Sequence, residues 1–146
     1  MTISNRRTPC VGICSTTYGD LVCRGCKRFA HEIVQWNGYD ETQKSAIWDR
    51  LHALRDEVVL QQVSVVDDAR FAATCMSAQL HDLAGAKLIY AVVTHLVVHA
   101  SPDVVSAGLS AVGDGPQDAM SVMQRLDAEI YTRSRAYYEH SFKISV

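Results

Sequence analysis

The sequence predicts a mainly α-helical protein, built as an N-terminal four-cysteine metal knuckle joined to a helical hairpin and a helical-bundle extension. Three observations carry that expectation. Four of the five cysteines fall in "TPCVGICSTTYGDLVCRGC", residues 8 to 26. Beyond them, apolar residues recur at helical rather than alternating spacing. The chain is also ordinary in composition, with 146 residues, 48% hydrophobic and 21% charged, enough to bury a core. The expected division is a metal-binding module with its hairpin over residues 1–60 and a helical extension over 61–146.

Cys10, Cys14, Cys23 and Cys26 have the spacing C-x3-C-x8-C-x2-C. The basic start "NRR" runs into a polar stretch rather than an apolar signal core, so the cytoplasm is the expected location. In a reducing compartment, clustered thiols point to a metal or cluster site before disulfides. A thioredoxin-like CxxC redox pair would want a strand ahead of Cys23, and the pattern provides none. Four thiolates suit tetrahedral zinc and iron–sulfur clusters alike. Gly25 in "CRGCKR" is expected to allow the tight turn between two ligands. A four-thiolate centre carries negative charge, and Arg24, Lys27 and Arg28 are placed to offset it. Between residues 6 and 28, Arg6, Arg7, Arg24, Lys27 and Arg28 meet only Asp20, against a net charge of −2 for the whole chain. The five cations are therefore also the candidate surface for a partner, with Arg24, Lys27 and Arg28 expected to project outward.

After Cys26, "KRFAHEIVQW" places Phe29, Ile33 and Trp36 on one face of a short helix, with Trp36 shielding the metal loop. His31 and Glu32 are expected to be solvated. "NGYDETQ" breaks that helix and opens another through Asp40 and Gln43, a capping-box arrangement. The second helix carries Ile47, Leu51, Leu54 and Val58 inward, Trp48 beside them, and Lys44, Asp49 and Arg50 toward water.

"TPCVGIC" followed by "GDLVCRGCKRFAHEIVQWNGYDETQKSAIWDRL" resembles a small bacterial family called domain of unknown function 1289, described as predicted iron–sulfur proteins. Its pattern is matched here by Pro9, Cys10, Cys14, Cys23, Gly25, Cys26, Arg28, Glu32, Ile33 and Trp36. The chain departs from it at Phe29, Ala30 and Tyr39, none of them a ligand position. The resemblance covers residues 8–55 and implies an iron–sulfur cluster on the four cysteines. It implies no activity.

Residues 67 to 100 read as helix, with a bend near Gly85 and strand as the alternative after Leu88. "SPDVV" signals a helix start through Ser101, Pro102 and Asp103. Pro116 is expected to open a last helix with Met120, Met123, Leu126, Ile130 and Tyr137 inward. The longest apolar run, Leu88 to Ala100, is well short of the roughly 20 residues a spanning helix needs, so no membrane partner is expected. His95 and His99 share one helical face at the spacing zinc enzymes use, but "HLVVH" lacks the Glu that would act as base, and a structural pair is the favoured reading. Cys75 reads as a small buried hydrophobe. "RSRAYYEHSF" reads either as a basic, aromatic contact for a nucleic-acid strand or as an ordinary helix end, the latter favoured. With no phosphate loop, nucleophile elbow or paired carboxylates, an enzyme with its own organic chemistry is not expected. The expected function is a metal-binding adaptor for a protein partner, with nucleic acid the weaker partner class and self-pairing through the helical half also allowed. The alternative is a small iron–sulfur redox or cluster-sensing protein.

Overall fold

The computed structural model describes residues 8–12, 14–99 and 103–142. Among these the protein is mainly helical: α1 (Ala30–Gln35), α2 (Glu41–Gln62), α3 (Asp68–Ser77), α4 (Gly85–Val98) and α5 (Ala119–Phe142), with strands β1 (Val63–Val65) and β2 (Leu109–Ala111). No helix among the described residues is long and apolar enough to cross a membrane. Arg6, Arg7, Ser101 and Pro102 lie outside the described residues, so the expectations placed on them go unaddressed. Two compact units result, one of Met1–Ala53 with Ile130–Val146 and one of Leu54–Glu129.

The first unit starts from the cysteine-bearing segment and α1. α2 opens as the sequence predicts: the Asp40 carboxylate accepts from the Gln43 N–H at 2.8 Å, and the Gln43 side chain accepts from the Asp40 N–H at 2.9 Å. This reciprocal pair satisfies two donors that helix geometry leaves orphaned. Ile47 is buried and Leu51 half-buried on the expected stripe.

The second unit differs from the helical reading in three places. The first is the stretch from 67 to 100, which is two helices. α3 stops at Ser77 because the Leu80 N–H reaches the Cys75 carbonyl (3.0 Å) and the Gln79 N–H reaches that of Met76 (3.2 Å), with Gln79 left-handed at φ 58°. That is a Schellman stop with glutamine in the place glycine usually takes, so no glycine marked it. α4 then begins at Gly85, and Ala86, Ile89, Val92, Val93 and Leu96 form its buried stripe, which settles helix over strand.

The second difference is a two-stranded ribbon that the sequence reading did not anticipate. Val63 pairs with Ala111, Ser64 with Ser110 and Val65 with Leu109, antiparallel. Val63, Leu109 and Ala111 face the core. β-Branched residues in "VSVV" suit this pleat, but three residues are too few to show a period. The chain enters β2 from Asp103 through a single 3-10 turn, Val105–Ala107, so the ribbon and its lead-in also take the place of the helix expected there.

The third difference is the start of α5. Gln117, expected inside the helix, instead turns its carboxamide onto Ala111, accepting from its N–H (2.9 Å) and donating to its carbonyl (3.0 Å), as a further strand would. The helix therefore opens after Pro116, with Asp118 accepting from the Ser121 N–H. Its buried stripe is Ala119, Val122, Leu126, Ile130 and Ser134; Met120 and Tyr137 are exposed.

Gly108 locks ribbon to helix. At φ +78° a Cβ would lie 2.3 Å from the Asp67 carbonyl and 2.9 Å from the Phe71 nitrogen, while the Gly108 carbonyl accepts from the Val66 and Asp67 N–H groups. Gly108→Ala is expected to lower unfolding free energy by about 2–4 kcal/mol, from left-handed strain plus backbone overlap, as read by urea denaturation.

Candidate metal centre

Residues 21 to 30 form a closed turn. Val22 and Phe29 make an antiparallel bridge, flanked by Ala30 N–H to the Leu21 carbonyl (2.8 Å) and Cys23 N–H to the Arg28 carbonyl (3.0 Å); inside, the Lys27 N–H closes on the Cys23 carbonyl at 2.9 Å. The left-handed residue of the turn is Lys27, at φ 66°. The sequence alone points to Gly25 as the turn residue. A lysine tolerates this strained backbone because its ammonium donates to the carbonyls of Arg24 and Gly25, tying off the turn it sits in.

Cys23 is buried, 1% exposed. Burial is the largest single influence on its thiol and pushes its pKa up. The N–H groups of Cys26, Ser15 and Gly25 and the Cys26 thiol outweigh this and bring it down to about 7. Cys26 is half-buried; burial raises its pKa against the Arg28 guanidinium, whose Nε donates to its sulfur at 3.3 Å. Ser15 joins the two cysteine pairs, since its hydroxyl accepts from the Arg24 N–H at 2.8 Å and its own N–H serves the Cys23 sulfur. Cys14, the residue before it, is half-buried with its sulfur 2.8 Å from the Thr16 hydroxyl. Cys10 is exposed and accepts from the Gly12 N–H at 3.4 Å. All five cysteines lie among the described residues, and none is in a disulfide. Among the described residues, no three or more His, Cys, Asp or Glu side chains are gathered as a metal would gather them.

The surrounding cations divide differently from the expectation. Arg24 is exposed, 3.3 Å from Asp20 and over the Tyr131 ring at 4.5 Å. Lys27 and Arg28 do not project outward; they are 6% and 4% exposed. The carbonyls of the turn draw Lys27 in. Arg28 is drawn in by the Cys26 sulfur and by Trp36, whose ring lies 4.8 Å from the guanidinium carbon. Trp36 is itself buried, with Lys44 on its ring at 5.7 Å.

Glu32 and Arg50, both expected to face water, are instead bound to each other. Arg50 donates twice to the Glu32 carboxylate, at 2.6 and 2.7 Å, and Glu32 also accepts from the Phe29 N–H at 2.8 Å. Arg50 lies over the Phe29 ring at 4.2 Å. Phe29 stacks with Tyr137 and meets Tyr138 and Phe142 edge-on. His31, expected to be solvated, is half-buried with its ring 5.1 Å from that of Phe142. Sequence reasoning missed Ser15, which carries no signal of its own. It also missed Glu32, whose place three residues after Phe29 is half a capping box lacking the usual hydroxyl.

Residues 8–55 match the family described as Protein of unknown function (DUF1289). The resemblance read from the cysteines and the helix after them thus holds over that segment of the chain. No curated protein and no solved structure matches the chain. The DUF1289 segment contains all four clustered cysteines, Arg28, Trp36 and the Glu32–Arg50 pair; α3, α4, α5 and both strands lie beyond it.

Glu32→Gln should cost about 2–4 kcal/mol in urea unfolding, because it leaves a guanidinium facing a neutral amide in a site closed on one side, and less than a fully buried pair would cost because water still reaches the Arg50 side chain, 27% exposed. Adding Arg50→Met in the same chain should recover a good part of that loss, a coupling the double-mutant cycle reads directly.

Proposed function

We propose that this protein is a metal-binding adaptor whose Cys10, Cys14, Cys23 and Cys26 supply four thiolates to a zinc ion or iron–sulfur cluster, fixing the N-terminal loop beside its helical hairpin for contact with a protein partner. The observation that carries this reading is Arg28. A guanidinium 4% exposed needs negative charge, yet among the described residues its partners are the Cys26 sulfur and the Trp36 ring, with no carboxylate. Four thiolates around a divalent ion carry net negative charge and supply what Arg28 lacks. The donor set fits as well. Soft sulfur ligands suit zinc and iron–sulfur centres, and the Cys23 sulfur already collects backbone N–H donors. Bound zinc would supply a cross-link, and a cluster would supply one-electron chemistry. The chain's own part is to hold the sulfurs, offset their charge through Arg28 and screen them with Trp36. Arg24 is the knuckle cation left for a partner to meet; Arg6 and Arg7 lie outside the described residues.

The iron–sulfur redox reading has one observation in its favour. N–H donors to the Cys23 sulfur and the Arg28 donor to Cys26 are the groups by which proteins set a cluster's potential. Purification without oxygen separates the two. Stoichiometric zinc in colourless protein supports the cross-linked adaptor. Iron, sulfide and visible charge-transfer absorption support the cluster. Protein free of both refutes the metal centre.

Replacing Arg28 tests its part in the site. Arg28→Met is expected to weaken metal retention against a chelator by about 10–100-fold, while Arg28→Lys keeps part of it, since charge survives where the N–H fork does not. Equal retention in both variants would assign Arg28 to packing alone.

A further inference from the structure

We propose a second metal site, a two-imidazole chelate for a zinc-class divalent ion formed by His95 and His99 at the end of α4. The two residues are one helical turn apart, and their ring centroids lie 4.2 Å from each other with the planes tilted by 43°. Imidazoles four residues apart on a helix are the pair that grips zinc in helical metalloenzymes, because both rings project from one face. Zn–N bonds of about 2.0–2.1 Å place two ligand nitrogens roughly 3 Å apart, a spacing the two rings reach by rotating apart from their present contact. His99 is exposed and has that freedom; His95 is half-buried and supplies the fixed arm.

The position favours a cation as well. His99 is the C-terminal cap of α4, its N–H accepted by the His95 and Val97 carbonyls. The negative end of the helix dipole therefore lies beside the two rings. Imidazole is a preferred donor for zinc, nickel and copper, with copper strongest in the series. Two protein ligands leave coordination positions for water or a small anionic ligand, which suits a reversible, modest-affinity site rather than a structural one.

The competing account is that the rings merely pack. Packing at an exposed cap contributes little, so the two accounts diverge on substitution of His99. Zinc titrated into the full chain is expected to move the imidazole C–H resonances of His95 and His99 together and leave exposed His81 in place. Imidazole resonances report this site whether or not the thiols hold metal, so it stands or falls independently of the four cysteines. His95→Ala and His99→Ala should each remove this binding step from the isotherm, weakening it about tenfold or more by loss of the chelate. His99→Gln, which keeps a polar exposed cap, should do the same with the helical circular dichroism unchanged. Zinc that shifts neither ring, or only one, overturns the site. So does an isotherm that either single variant leaves intact.

Discussion

The N-terminal unit depends on a buried carboxylate that three elements share. Glu32 accepts from the Phe29 N–H at the mouth of α1 and from both arms of Arg50 on α2, and Arg50 in turn covers the Phe29 ring. Burying a carboxylate and a guanidinium is costly in itself, and such a pair adds little net stability against an apolar core of the same shape. What it adds is uniqueness. Only one register of α1 against α2 lets a single carboxylate satisfy a fork and a backbone donor together. Phe29 is also the strand-like partner of Val22, so the pair that sets α1 also sets where the cysteine turn ends.

From that anchor the chemistry of the sulfur loop follows in short steps. Bridging Val22 to Phe29 forces the six residues between them into a closed turn. The turn buries Cys23 and aims backbone N–H groups at its sulfur. Lys27 fills the left-handed position and neutralises two carbonyls of its own turn, while Arg28 leaves the turn toward Cys26 and Trp36. Two adjacent cations thus do separate tasks, one for the backbone and one for a thiol. Charge counted along a sequence cannot make that distinction, because it does not record which side of the loop each side chain leaves by.

In the second unit the governing constraint is close backbone approach. Gly108 sits against the Asp67 carbonyl with no room for a Cβ, which brings β2 beside β1 and lets Gln117 complete the ribbon's hydrogen bonding. A side-chain amide standing in for a strand explains why α5 starts later than its proline suggests. The helix gives up its first turn to satisfy a strand edge, which would otherwise leave donors and acceptors unpaired.

Taken alone, the sequence determined what is local: helical periodicity, the Asp40–Gln43 cap, the burial of Trp36 and the register of Ile47, Leu51 and Val58 all follow from spacings within a few turns of one helix. The likeness to DUF1289 was legible for the same reason, since its signature is a contiguous run. Tertiary structure decided whatever joins distant residues. Glu32 and Arg50 are 18 positions apart, and each alone looks like a solvated charge on an amphipathic helix. Val63–Val65 and Leu109–Ala111 are each too short to announce a strand and become one only by pairing across most of the second unit. Gln79 ends a helix without glycine because hydrogen bonds from Leu80 and its own N–H hold it left-handed. In each case the free energy resides in a contact between separated segments, and a one-dimensional pattern carries no term for it.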